Sequence, residues 1–176
     1  MNIINLVGKI INLYATIFGM KGLLKKYVTS SEVIRENGKK ITVLVLDSAA
    51  LLKDGIVQYH VAGGLCATVG NTILVLDTVK SSTSEEELGF MMNHELGHIV
   101  LGHVTKALKR GASGLTLDLE DEVAADNYAR SKGFTTPDFR KLLTGVLGEL
   151  ASAGIILAEQ VSEIVEDTME VHASRM

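Results

Sequence analysis

The chain has 176 residues, of which 47% are hydrophobic, and its formal net charge is −4. This length fits one domain with a sizeable core and excludes two full domains. The charge balance, without clustered lysines and arginines, excludes a surface built for the phosphate backbone, so we expect no nucleic-acid partner. The single cysteine, Cys66, cannot form an internal disulfide and suits a reducing compartment, so we expect a cytoplasmic protein.

The first segment, residues 1–28, has the pattern of an amphipathic helix. Its hydrophobic residues recur at helical spacing and are Ile3, Ile4, Val7, Ile10, Ile11, Tyr14, Ile17 and Phe18. No uninterrupted apolar run reaches the ~18 residues of a membrane span, and no signal-peptide cleavage site follows. Two interpretations stay open: the helix packs on the core, or it docks peripherally on a membrane or a partner, which would make the protein membrane-associated.

Strand patterns follow between residues 41 and 76. Residues 41–46 form a continuous run of β-branched residues and leucine, as in a buried strand, and residues 56–61 form a second strand pattern. Gly70-Asn71 then separates residues 65–69 from residues 72–76, which predicts a tight hairpin.

A helix is predicted to begin within residues 81–87. Ser82, Thr83 and Ser84 each stand three residues before a glutamate, and these overlapping capping boxes put negative charge where a helix dipole favours it. Apolar residues then recur at spacings of three and four, namely Leu88, Met91, Met92, Leu96, Ile99 and Val100. This stripe should face a core, with His94 and His98 beside it in mid-helix.

The stretch His94-Glu95-Leu96-Gly97-His98 has the H-E-x-x-H spacing of a zinc site on a helix. Residues four apart differ by about 40° around a helix axis, so both imidazoles project from one face and can bind one ion. Glu95 stands beside them, where a carboxylate can take a proton from water that the ion activates. The sequence thus predicts one Zn²⁺ per chain, with Glu95 as general base.

A catalytic zinc site needs a third protein ligand and leaves its fourth position to water. Residues 119–132 have a helical pattern, with Glu122 and Asp126 one turn apart on one face. Glu122 is the best candidate for the third ligand. Asp126 can accept a hydrogen bond from a ligand imidazole and fix its tautomer. His103 would lie about 140° around a continuous helix from His98, so it should not join the same ion.

The last part, residues 137–171, begins with the lone proline, Pro137, and is predicted to be mostly helical. Its apolar residues should form packing surface and are Leu142, Leu143, Val146, Leu147, Leu150, Ile155, Ile156 and Val161. Glu149 and several glycines argue against a bilayer span. Self-association through this part is the alternative, so a homo-oligomer stays open.

The sequence HELGHIVLGH at residues 94–103, followed by Glu122-Val-Ala-Ala-Asp126, resembles the gluzincin metallopeptidases. It is most similar to the CAAX prenyl protease and HtpX-like family, and the resemblance covers roughly residues 41–143. The interval between the two motifs is short for that family, so the chain resembles a minimal form, a minigluzincin.

The resemblance implies roles for individual residues. The metal ligands would be His94, His98 and Glu122, and Glu95 would be the catalytic base. Gluzincins commonly hold the oxyanion with a histidine, tyrosine or arginine, for which the candidates are Tyr128, Arg130 and His172. An edge strand would pair with the extended substrate backbone, and the residues in that position are Gly64, Leu65, Cys66, Ala67 and Thr68.

We therefore expect an α+β, zincin-like fold, in which a small antiparallel or mixed sheet packs on the H-E-x-x-H helix and a second ligand helix, with helices at both termini. One domain would span residues 1–176, with a catalytic core at 41–134 and a C-terminal helical region at 137–171. The expected function is that of a zinc endopeptidase acting on a peptide or protein substrate. Two alternatives remain: a catalytically silent zinc protein that binds peptides or a partner through the same cleft, and an interaction protein with a structural metal.

Overall fold

The computed structural model describes residues 26–54, 65–109, 119–154 and 156–173. Within these ranges the protein is α+β, with one sheet of four strands and seven helices. The predicted N-terminal helix up to residue 25 and the predicted strand at residues 56–61 lie outside the described residues.

The described chain begins with a hairpin and a short helix: β1 (Val28–Glu36), β2 (Lys39–Leu46) and α1 (Ser48–Lys53). Asn37 and Gly38 form the turn with φ of 47° and 75°, the two positive values that a type I′ hairpin turn requires. The predicted strand at residues 41–46 is confirmed. The prediction that the N-terminal helix continues to residue 28 is wrong, because Val28 begins β1. Most side chains of β1 are exposed, so its sequence lacks the alternation that would have revealed a strand.

The predicted hairpin around Gly70-Asn71 is confirmed as β3 (Cys66–Val69) and β4 (Thr72–Leu76). The strand order is β1-β2-β4-β3. β2 and β4 pair in parallel, whereas β1 with β2 and β3 with β4 pair antiparallel, so the sheet is mixed. β3 is therefore an edge strand of the described sheet.

Six further helices follow: α2 (Asp77–Ser82), α3 (Glu85–Leu101), α4 (His103–Lys109), α5 (Leu119–Ser131), α6 (Phe139–Ser152) and α7 (Ala158–Ala173). α3 and α5 confirm the two predicted central helices. The predicted C-terminal helical region is present as α6 and α7, interrupted near Gly154, whose φ is +69°. None of the described helices is long and apolar enough to cross a membrane.

Both ends of α3 are fixed by side chains. At its start the predicted capping box is present, because the Ser84 hydroxyl accepts from the Glu87 backbone N–H and the Glu87 carboxylate accepts from the Ser84 N–H at 2.9 Å. At its end, Gly102 adopts the left-handed conformation with φ of 78°. Lys39 of β2 donates to the carbonyl of Ile99 at 2.6 Å, where positive charge complements the helix dipole.

The main core lies between the sheet and helices α2, α3, α6 and α7. Its least exposed members include Ile41, Ile73, Val79, Leu143 and Leu147, each at 0% exposure. Six of the predicted packing residues of the C-terminal region are buried in this core, namely Leu142, Leu143, Val146, Leu147, Leu150 and Ile156. Val161 packs against them partly buried, and residue 155 lies outside the described residues.

Small residues let α3 and α5 approach closely. A Cβ on Gly97 would stand 3.0 Å from Cα of Ala125, and Ala125 and Ala129 are fully buried. α5 also contacts the β1–β2 hairpin. Tyr128 donates to Oε1 of Glu36 at 2.8 Å, and Lys132, which directly follows the helix, donates to the same atom at 2.8 Å. This packing brings the first turn of α5 beside the middle of α3.

Candidate metal and catalytic site

Three predicted ligands converge between α3 and α5. Nε2 of His94 lies 3.0 Å from Nε2 of His98, and the Glu122 carboxylate oxygens lie 3.3 Å from the former and 3.7 Å from the latter. One ligand atom from each residue lies within 4.8 Å of the others. Tetrahedral ligands at the usual zinc–nitrogen and zinc–oxygen distances stand about 3.3 Å apart, so this donor set fits a zinc ion.

His94 is held by Asp126 from the side opposite to its Nε2 atom. Nδ1 of His94 lies 2.8 Å from Oδ1 of Asp126, one turn beyond Glu122 on α5. Arg130 reaches Oδ2 of the same carboxylate at 3.4 Å. When the ring of His94 is neutral, this carboxylate keeps the proton on Nδ1, which leaves the Nε2 lone pair for a metal.

His98 has a different partner, His103. Their Nδ1 atoms are 2.9 Å apart, and both residues are buried. The assumption of one continuous helix through His103 was wrong, because α3 ends at Leu101 and Gly102 turns the chain before α4 begins. His103 still stands outside the converging ligand atoms, since it contacts the far nitrogen of His98. The glycine directly before His103 is compatible with such a turn, but a glycine in an apolar run does not by itself predict one.

His103 in turn lies near a buried carboxylate. Its Nε2 atom is 3.7 Å from Oδ1 of Asp121, which accepts a hydrogen bond from Lys106 at 2.8 Å. Asp121 is only 5% exposed and directly precedes Glu122 in the first turn of α5. The sequence interpretation included neither Asp121 nor Lys106, because their contact joins two helices, α4 and α5, and does not follow from spacing along one helix.

Glu95 is partly buried and contacts the edge strand β3. The Thr68 hydroxyl lies 2.6 Å from Oε2 of Glu95 and 3.0 Å from its backbone carbonyl. Burial raises the pKa of Glu95, while the charge of His94 and the hydrogen bond from Thr68 oppose that rise. A raised pKa makes a carboxylate a stronger base, which suits Glu95 to accept a proton from water beside a candidate metal site.

The three converging residues and His103 differ in the direction of their pKa shifts. Burial lowers the pKa of His94, but hydrogen bonds to Asp126 and Glu122 outweigh it and raise the pKa to about 10. Burial lowers the pKa of His98 to about 4. Burial raises the pKa of Glu122, but the hydrogen bond with His94 and the electrostatic interactions with His98 and His94 outweigh it, so the pKa is lowered. Burial also lowers the pKa of His103.

The remaining predicted site residues have the following contacts where the structure describes them. Tyr128 directs its hydroxyl to Glu36, and Arg130 contacts Asp126, Asn127 and Thr136. The His172 side chain and Gly64 lie outside the described parts of the chain. Leu65, Cys66, Ala67 and Thr68 precede or form β3, and of these Thr68 contacts the Glu95 carboxylate. Cys66 is buried, and burial raises the pKa of its thiol well above its usual value.

Two histidines from one helix and a glutamate from a second helix, with a carboxylate beside them, define a metal-site protein of the H-E-x-x-H class. The model of Peptidase family M48 matches residues 59–169, more than half of the chain. The chain belongs to this family of zinc metallopeptidases, which confirms the resemblance to the CAAX prenyl protease and HtpX-like proteins. Comparison with curated proteins and with solved structures gives no match.

Proposed function

We propose that the protein is a zinc-dependent endopeptidase with a zincin-like fold, which cleaves peptide or protein substrates. The observation that carries the proposal is the convergence of His94, His98 and Glu122 beside Glu95. Family membership supports zinc-dependent proteolysis as the reaction class.

In this proposal His94 and His98 hold zinc through their Nε2 atoms, and Glu122 holds it through its carboxylate. Zinc bound there would polarise the scissile carbonyl and lower the pKa of water. Asp126 keeps the proton of His94 on Nδ1, away from the metal side of the ring. The acidic α5 thus supplies one metal ligand and one group that orients another ligand.

Glu95 is the proposed general base. Its carboxylate accepts a proton from the attacking water and can return it to the leaving amine. The Thr68 hydroxyl binds Oε2 at 2.6 Å and thereby restrains the carboxylate. Tyr128, Arg130 and His172 stay the candidates for a second group that stabilises the oxyanion.

The substrate backbone is proposed to pair with β3. β3 is an edge of the described sheet, and its Thr68 side chain touches the proposed base. A peptide added along this edge would run past Glu95, and recognition through main-chain hydrogen bonds would depend little on side-chain identity. The proposed substrate class is therefore an extended, unfolded segment of a peptide or protein.

The decisive variant is Glu95→Gln, compared with Glu86→Gln at an exposed position of the same helix. We expect the wild type and both variants to hold about one zinc per chain, measured by mass spectrometry of the metal. Cleavage of a diverse peptide library should fall by ~10² or more in Glu95→Gln, the scale of a lost general base. Glu86→Gln should cleave like the wild type.

Other outcomes would change the assignment. A zinc-loaded wild type that cleaves no library member, while it and Glu95→Gln bind the same peptides equally, would support a silent zinc protein instead. Full zinc occupancy in His94→Ala would move the metal away from this site.

A further inference from the structure

The contact between His98 and His103 fixes where protons must lie if His98 is a metal ligand. The two Nδ1 atoms are 2.9 Å apart, which is hydrogen-bond distance, so one carries a proton and the other accepts it. A proton on Nδ1 of His103 would leave a neutral His98 with its own proton on Nε2, the atom that faces His94 and Glu122. That arrangement would leave His98 no lone pair for the metal.

We propose that His103 is a positioning residue, which accepts a hydrogen bond from the Nδ1–H of His98 and so keeps the Nε2 lone pair of His98 directed at the metal. This inference rests on the proposed zinc site. It assigns to each ligand histidine its own acceptor: a carboxylate for His94 and a neutral imidazole for His98.

The surroundings of His103 favour this direction. With Nδ1 as acceptor, a neutral His103 carries its proton on Nε2, which faces the Asp121 carboxylate at 3.7 Å. Asp121 is held by Lys106 at 2.8 Å, so its negative charge has a fixed place in the buried cluster. The Nε2–H of His103 then faces the Asp121 carboxylate, and the Nδ1–H of His98 faces the Nδ1 lone pair of His103. No two donors and no two acceptors face each other in this arrangement.

The backbone turn at Gly102 makes the contact possible. On a continuous helix His103 would lie about 140° away from His98. Gly102 has φ of 78°, which favours glycine, and the chain folds back so that His103 opens α4 beside His98. The side chain of His103 is only 8% exposed, so water does not readily replace it as the acceptor.

Nuclear magnetic resonance of the zinc-loaded wild type, labelled with ¹⁵N-histidine, tests the proton positions directly. We expect the shared proton to show its one-bond coupling to Nδ1 of His98, together with a scalar coupling across the hydrogen bond to Nδ1 of His103. A proton bonded to Nδ1 of His103, or no coupling between the two nitrogens, would overturn the proposal. This measurement needs no variant and no peptidase activity.

Zinc affinity provides the second readout, measured by competition with a chelating dye. His103→Phe keeps a ring but has no acceptor, so affinity should fall by ~10-fold to ~100-fold. In His103→Asn the amide oxygen can occupy the place of Nδ1, so this variant should bind zinc more tightly than His103→Phe. Thr105→Val, an exposed change on the same helix, should match the wild type.

The outcomes separate this inference from the proposed function. Wild-type protein that binds no zinc would contradict the proposed site, and this inference with it. Zinc binding with equal affinity in the wild type and His103→Phe would contradict only the role of His103. If His103→Phe fails to fold, the nitrogen couplings of the wild type still decide.

Discussion

The hydroxyl of Thr68, on the edge strand β3, donates to Oε2 of Glu95 on α3 at 2.6 Å. Burial raises the pKa of Glu95, and this hydrogen bond, together with the charge of His94, opposes the rise. The sheet therefore influences the charge of the proposed base as well as its position.

Thr68→Val should shift the acidic limb of the pH profile of kcat/KM to higher pH. Valine keeps the β-branched shape but has no donor, so the carboxylate form of Glu95 loses stabilisation and its pKa rises. Because the base acts as the carboxylate, activity should fall at acidic pH and change little at alkaline pH. Thr68→Ser, which keeps the hydroxyl, is the control. An unshifted limb in Thr68→Val would show that the hydrogen bond does not set this pKa.

Zinc binding should release about one proton per chain near neutral pH, because a metal ligand must give up its proton. His94 has a pKa of about 10 and is protonated before zinc binds. His98, with a pKa of about 4, and Glu122, with a lowered pKa, are already deprotonated. Raising the pH towards 10 should therefore reduce the release and strengthen apparent zinc affinity. Calorimetry in two buffers of different ionisation enthalpy measures the release, and a value near zero would contradict this protonation scheme.

The local parts of the site could be predicted from the sequence, because they depend on helical spacing alone. His94 and His98 share a face of one helix, and Glu122 and Asp126 share a face of another, whatever the rest of the chain does. The capping box at Ser84 was equally local. What the spacing could not give was the packing of α3 against α5, which depends on the absence of a side chain at Gly97.

Three contacts could not be predicted because they join distant elements or follow a change of backbone direction. Thr68 reaches Glu95 only once β3 lies at the sheet edge, and Lys39 reaches Ile99 only when β2 packs beside the end of α3. His103 required the left-handed turn at Gly102, and a glycine within an apolar run does not by itself reveal such a turn.

Asp126→Ala should weaken zinc binding by ~10-fold to ~100-fold, because His94 would lose the acceptor that holds its Nδ1 proton at 2.8 Å. Arg130→Met should have a smaller effect, since Arg130 only touches the second oxygen of Asp126, at 3.4 Å. Chelator competition measures both affinities. Equal affinities in the wild type and Asp126→Ala would remove Asp126 from the site.

Gly97→Ala should destabilise the fold by about 1–3 kcal/mol, because the new methyl group would press on the backbone of α5. Its ideal position is 3.0 Å from Cα of Ala125 and 3.3 Å from the carbonyl oxygen of the same residue. Zinc affinity should fall as well, since α5 carries Glu122. The measurement is urea unfolding followed by metal titration.

Gly148→Ala is the matched control, in the middle of α6. A Cβ there meets nothing within 4 Å, so this variant should gain about 0.4–1 kcal/mol of stability. Equal stability changes of the same sign in the two variants would contradict the close approach of α3 and α5.

The turn between β1 and β2 contacts both helices that carry the candidate ligands. Glu36 accepts from Tyr128 on α5, and Lys39 donates to Ile99 at the end of α3. These partners are 92 and 60 residues apart in the chain, so the contacts close long loops and form slowly compared with the helices themselves. The chain would thus form the helices that carry the three candidate ligands before the β1–β2 hairpin contacts them. Zinc bound before the β1–β2 hairpin docks would therefore lie between helices that these two contacts do not yet hold.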